Sequence, residues 1–426
     1  MLATLRHRDF ALLWVAGLIS VAGDFALLVA LPLHAYALTG SAIATGGVFA
    51  ATLIPSVVLG SIAGVFVDRW DRKRTLVTAD LARAALLLPL LAVVSSDLLW
   101  LLYLVRAGTG VVGLFFDPAE SALLPRLVGE EQLVTANALN ALNNNFGRLI
   151  GPALGGLLYA AGGLPVVVIV DVVSFAVSAA LVFAIRADAR PEREPPVSHE
   201  GPARSSAFGE WRAGWELVGR DRSLRIIFLA TGIGFVGEGT FGVGFTPLVI
   251  DVLQGGATGA GVLNSAQAIG GLLAGATVAR VALKASPRIL FAGGMIGLGL
   301  TDLGVANAGA LARPGTGAVV VACGFMFLAG FPVVATSSAR QGLLQMLTAD
   351  AYRGRVFGSL GAAYGLAILF GLGVGGVAID AVGVVPVVSV GAAMWIVGGV
   401  FALARLPQET KTTSADSQAS NLPKTL

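Results

Sequence analysis

Charge is what this sequence has least of. Asp, Glu, Lys and Arg make up 12% of its 426 residues, where a soluble domain carries about 25%, so most of the chain cannot form a water-facing shell. There is one cysteine, Cys323, and it lies inside an apolar block. That excludes an intrachain disulfide and any site built from several thiolates. The three histidines, His7, His34 and His199, have no ligand spacing between them, and no metal is expected. A P-loop, a dinucleotide fingerprint and a nucleophile elbow are all missing. ATP is therefore not the expected energy source, no cofactor is expected, and an enzyme has no nucleophile–base set to work with. The net charge of +3 does not imply nucleic acid, because the basic residues fall in short loops between apolar blocks.

What the chain has is apolar surface. Hydrophobic residues make up 56% of it, in blocks of about twenty, the length that crosses a hydrocarbon layer as a helix. Backbone polar groups in lipid must pair internally, and the blocks are too long and too uniform for alternating barrel strands. The expected fold is all-α and integral to the membrane, with twelve transmembrane helices. The spans read as 10–38, 42–67, 75–95, 98–118, 135–162 and 164–186, then 224–253, 257–283, 287–309, 315–338, 354–380 and 384–406. The first block is too long for a cleavable signal and further spans follow. The 57 glycines read as packing residues, since small side chains let helices approach closely in lipid.

An even span count puts both termini on one side. Arg6, Arg8, Arg69, Arg72, Lys73, Arg74, Arg126, Arg280, Lys284, Arg288, Arg353 and Arg355 fall on that side, and Arg313 on the other. The positive-inside rule makes the termini cytoplasmic. Residues 187–223 are polar and proline-rich and read as a cytoplasmic linker, with a short surface helix near Phe208–Leu217. The linker divides the chain into halves at 1–186 and 224–406, and 407–426 reads as a disordered cytoplasmic tail. An offset of 214 lays Arg8 on Arg222, Gly23 on Gly237, Asp24 on Glu238 and Arg74 on Arg288, as a duplicated half would.

Ionisable groups at mid-span cost about 2.5–3.5 kcal/mol each. Asp24 in span 1 and Glu238 in span 7 are the candidates for binding a proton or a cationic substrate; a structural hydrogen bond is the alternative for each. Arg106 in span 4 is the candidate partner of Asp24 if the two spans adjoin. Asp171 and Asp302 rank below these, as interhelical hydrogen-bonding groups. Asp80 and Arg83 are three residues apart and read as a structural pair on one helix face.

Between spans 2 and 3 stand Gly64, Asp68, Arg69, Arg72 and Lys73, a candidate cytoplasmic gate in which a carboxylate locks helices through charged hydrogen bonds. The segment resembles the loop signature of the major facilitator superfamily, with Asp71 where many members have Gly. Arg106 to Gly110 resembles that family's span 4 signature. Gly147-Arg148-Leu149-Ile150-Gly151-Pro152-Ala153-Leu154-Gly155-Gly156 is similar to its antiporter signature, which marks exporters. Gly23-Asp24, the run from Phe116 to Pro125, and Asp171 before Ser174-Phe175 look like the macrolide-efflux and siderophore-exporter branch. The resemblance implies two pseudo-symmetric six-helix bundles around a central cavity, lined by spans 1, 4, 7 and 10, with spans 2, 5, 8 and 11 at the bundle interface. It further implies a monomer in a bacterial inner membrane, surrounded by lipid. The expected activity is export of small amphipathic drugs or metabolites in exchange for protons, the proton gradient supplying the energy. Asn140, Asn143, Asn144, Phe241, Phe245 and Gln267 are the candidate substrate contacts. A lipid or lysolipid exporter on the same fold, and a non-transporting receptor or scaffold, are the rival readings.

Overall fold

A computed structural model describes residues 4–67, 70–187, 215–282 and 285–407, without the side chains of 60–67, 130, 276, 282 and 351. The described residues are helical almost throughout. The helices are α1 (Arg8–Thr39), α2 (Ala42–Val67), α3 (Arg72–Leu87) and α4 (Leu99–Val128). A continuous helical stretch, Leu133–Phe183, follows. Then come α7 (Arg222–Pro247), α8 (Gly256–Ala282), α9 (Pro287–Ala306), α10 (Thr316–Leu347), α11 (Asp350–Val382) and α12 (Val384–Arg405). Eleven of the helical stretches are long and apolar enough to cross a membrane.

The Leu133–Phe183 stretch is two spans. A straight helix of its 51 residues would run about 75 Å, more than twice a hydrocarbon core. It turns back at Gly162 and Gly163, where Gly163 takes φ 68°, a backbone region that residues with a Cβ seldom adopt. Both ends consequently return to the side of the N-terminus. Leu139 accepts a hydrogen bond from Trp14 Nε1 at 2.9 Å, and Ala184 O one from Arg8 at 3.2 Å. The two arms, 133–161 and 164–183, are α5 and α6, which brings the spans to twelve.

The fourth helix runs beyond its expected end. The fourth span reads as closing at Asp117-Pro118, yet α4 continues to Val128 through Pro118 and Pro125. Its extra turns bury Ala119, Leu123 and Leu124 against Phe10, Leu13, Leu76 and Leu139, and that burial outweighs the missing backbone donors. The proposed linker helix near Phe208–Leu217 and the tail lie largely outside the described residues, although 215–220 are helical.

The antiporter-like glycines have two faces. Gly147, Gly151 and Gly155 lie against Val21, Phe25 and Ala26 of α1, within the first half. Gly156 faces Ala257 of α8, and Gly261 of α8 faces the Pro152 carbonyl, across the halves. Ser265 of α8 donates to the Leu149 carbonyl at 2.6 Å. On the other flank Ile43 of α2 meets Gly376 of α11. Tyr36 Oη donates to Asp251, which a single π-helical turn, Leu248–Val252, presents after α7. These contacts lie at mid-depth or on the side away from the termini, so the halves are sealed on the far side. Tyr36→Phe removes one donor from this seal. A hydrogen bond to a charged acceptor is worth about 1.5–3 kcal/mol, less at an exposed site. The expected result is an increase of up to about tenfold in alkylation, from the far side, of a cysteine placed at Thr246 in a Cys323→Ala background.

Candidate functional site

Two adjoining cavities follow the axis between the halves. The larger, of about 600 Å³, runs from mid-depth toward the termini, with Asp24, Phe49, Thr52, Arg83, Arg106, Asp117, Glu120 and Asn140 among its lining residues. The second, of about 240 Å³, is made by both halves. Leu28, Phe49 and Arg148 come from the first half, and Glu238, Phe241, Phe245, Gln267 and Asp302 from the second. Leu28 and Phe49 line both and form the partition.

Asp24 occupies the middle of α1, its side chain 38% exposed to the larger cavity. Glu238 stands at the same distance from the start of α7 as Asp24 from the start of α1, and opens on the smaller cavity. The starts of α1 and α7 and these two carboxylates thus keep the same offset of 214.

The ion partner of Asp24 differs from the expected one. Arg83 Nη1 of α3, not Arg106, lies 3.8 Å from Asp24 Oδ2. Arg83 is held between the rings of Phe116 and Phe175, 4.9 and 5.5 Å from their centroids, which fixes a cation at low cost. Gly113 leaves room for it, since a Cβ there would stand 2.9 Å from Arg83 Nη2. The expected Asp80–Arg83 pair on one face does not form, because Asp80 is fully buried and accepts from Ser178 of α6 at 2.6 Å. Arg106 donates through Nε to Thr52 of α2 at 2.8 Å and faces the same cavity as Asp24.

The three asparagines proposed to touch substrate all line the larger cavity, and Asn143 also cross-links helices. Asn143 is 4% exposed and its Nδ2 donates to the Trp14 carbonyl at 2.7 Å, since a buried amide must find a partner. Asn140 donates to Glu120 at 3.4 Å and Asn144 to the Asn140 carbonyl at 3.3 Å, and both line the larger cavity. Phe241 and Phe245 stack obliquely at 5.9 Å on the wall of the smaller cavity, and Gln267 sits with them.

Asp68 and Arg69 of the gate motif lie outside the described residues, as do the surroundings of Gly64. Arg72 donates to Ala122 O of α4 at 2.9 Å, and Lys73 to Ile185 O at 2.6 Å, tying α3 to neighbours of its own half. Two cavity acids are not singled out in the sequence. Asp117 and Glu120 stand in the run from Phe116 to Pro125, which enters the sequence reading only as a family likeness; the continuation of α4 past Pro118 is what brings both to the cavity. Arg148, named in the sequence within the antiporter signature, borders the smaller cavity and a groove between α5 and α8.

The arrangement has the parts that alternating access needs: two halves, a seal at one end, and a polar cavity reaching toward the other. Comparison with known proteins agrees. The sequence model of the Major Facilitator Superfamily matches residues 13–324. Macrolide efflux protein A of Streptococcus pyogenes is 26% identical over 383 residues, 88% of this chain and 90% of that protein. A solved bacterial homologue of the iron transporter ferroportin in the inward-facing state superposes with a TM-score of 0.73 at 16% identity, over 94% of this chain and 99% of that one. One in the outward-facing state gives 0.57 at 18% identity, over 93% and 98%.

Proposed function

The chain belongs to the Major Facilitator Superfamily, whose members are multi-pass membrane transporters of small molecules and not enzymes, and on that premise we propose that it exports small amphipathic compounds in exchange for protons. The observation that carries this reading is Asp24. A carboxylate at mid-span is costly in lipid; here it opens on a cavity, with Arg83 at 3.8 Å and Arg106 on the same wall. Protonation of Asp24 would leave the Arg83 charge unbalanced, held between Phe116 and Phe175, and change the charge that the cavity offers a substrate. Glu238 acts as a second carboxylate in the smaller cavity, with Phe241, Phe245 and Gln267 against the apolar body of the substrate. The name of the Streptococcus relative supports export.

The orientation follows the basic residues, with both termini in the cytoplasm of a bacterium and the chain in its inner membrane. The far-side seal then faces outward, and the described state is open to the cytoplasm. One chain supplies both halves and the cavity, so the working unit is the monomer. Exposed side chains such as Leu104, Val177 and Phe183 meet lipid. No cofactor is required, because the proton gradient drives the cycle.

The reading is tested by growth inhibition in a pump-deficient host over a panel of antibiotics, dyes and lysolipids. Expression of the chain should raise resistance to cationic amphiphiles, and a protonophore should erase the gain. Resistance that survives the protonophore would remove proton coupling. Protection against lysolipids alone would favour the lipid exporter.

A further inference from the structure

Asp171 belongs to α6, away from the helices that line the cavities, yet it packs on Gly23, the residue before Asp24. It is 0% exposed and packs under α1 at Gly23, where a Cβ would collide with its Oδ1 and with Ser174 Oγ. The absent side chain at Gly23 thus admits a second carboxyl against the backbone beside Asp24. Packing alone does not require one. In the other half the matching glycine, Gly237, makes the same close approach to α12 against the Gly391 carbonyl, with no carboxylate there.

The hydrogen bonds indicate what this carboxyl carries. A buried carboxylate needs donors on both oxygens, and Asp171 Oδ2 has no partner among the described residues. Ser174 Oγ lies 2.9 Å from Asp171 Oδ1 and 2.8 Å from the Asp171 carbonyl. A hydroxyl has a single proton to give. If it goes to the carbonyl, as serine does inside helices, the contact at Oδ1 needs a proton on the carboxyl. Among the described residues no acidic group is arranged with others to hold a metal ion.

We propose that Asp171 is a proton-binding residue that exchanges one proton with Asp24. Asp24 is the port, open to the cavity and facing Arg83; Asp171 is the store. The proton leaves the Asp171 O–H for the Asp24 carboxylate and passes from there to cavity water, and no other bond changes. The groups that set the local field are Asp80 and Arg83 on α3, and Arg106, Asp117 and Glu120 on α4, while α2 and α5 contribute the neutral Thr52, Asn140 and Asn143. The use of the store rests on the proton-antiport reading.

Infrared difference spectra of the full chain in liposomes test the binding. At neutral pH the wild type should show a protonated-carboxyl C=O band that Asp171→Asn lacks and that Ser174→Ala, which keeps the acid, shifts in frequency. No band difference between wild type and Asp171→Asn, or no shift in Ser174→Ala, overturns the proposal. On the same vesicles, ethidium accumulation driven by one unit of pH should fall about tenfold in Asp171→Asn. Equal accumulation in wild type and variant overturns the store role alone. A wild type that shows the band and accumulates nothing overturns the antiport and the store together.

Discussion

Asp24→Asn is expected to abolish gradient-driven accumulation while leaving downhill exchange intact. At one proton per substrate, a pH difference of one unit supports about a tenfold concentration ratio, and the variant should hold a ratio near one. The reason lies in what asparagine keeps and loses. It keeps the volume of Asp24 and an oxygen that can accept from Arg83, so the wall of the cavity stands. It loses the charge that Arg83 faces at 3.8 Å and the ability to take up a proton. Arg83 stays in place because Phe116 and Phe175 flank it. The measurement is dye accumulation in vesicles with the membrane potential clamped, alongside exchange at equal pH. Accumulation equal to that of the wild type would remove Asp24 from coupling. Glu238→Gln, in the smaller cavity, should instead weaken substrate affinity more than it weakens the response to pH.

Gly261→Val is expected to prevent the far side from sealing. A Cβ at Gly261 would fall on the Pro152 carbonyl, and backbone cannot swing aside as a flexible side chain can. Overpacking of this kind costs about 1–3 kcal/mol, which shifts the balance between sealed and open states by about 5- to 150-fold. Within the first half α5 packs on α1 through other glycines, so the fold should survive. Transport should fall by a comparable factor, and spin labels on the far ends of α5 and α8 should move apart. Gly275→Val is the control on the same helix, because nothing lies within 4 Å of its Cβ position. An equal loss in both variants would point to helix insertion and away from the seal.

Composition sufficed for the membrane, for the helices and for their number. Each apolar block is long enough to span on its own, and a helix pairs its own backbone groups, so neither property waits for a neighbour. The mid-span position of Asp24, and its likeness to Glu238, were equally legible, because depth along a helix is a matter of counting residues. Partners were not legible. Arg106 looked like the counter-ion of Asp24 because both lie at mid-depth; rotation about each helix axis, set by packing against neighbours, turned Arg106 to Thr52 and Arg83 to Asp24. The same rotation set the Asn143 amide against the Trp14 carbonyl at the cavity wall, and Gly23 admitted Asp171 beneath α1.

The sequence by itself determined which segments enter the lipid and at what depth their charges lie, since both follow from hydrophobic length along one dimension. Only the tertiary structure decided which charges meet, which glycines join the halves, and which end of the molecule is sealed. Those depend on how helices rotate and lean against one another, and that is settled by contacts between residues far apart in the chain.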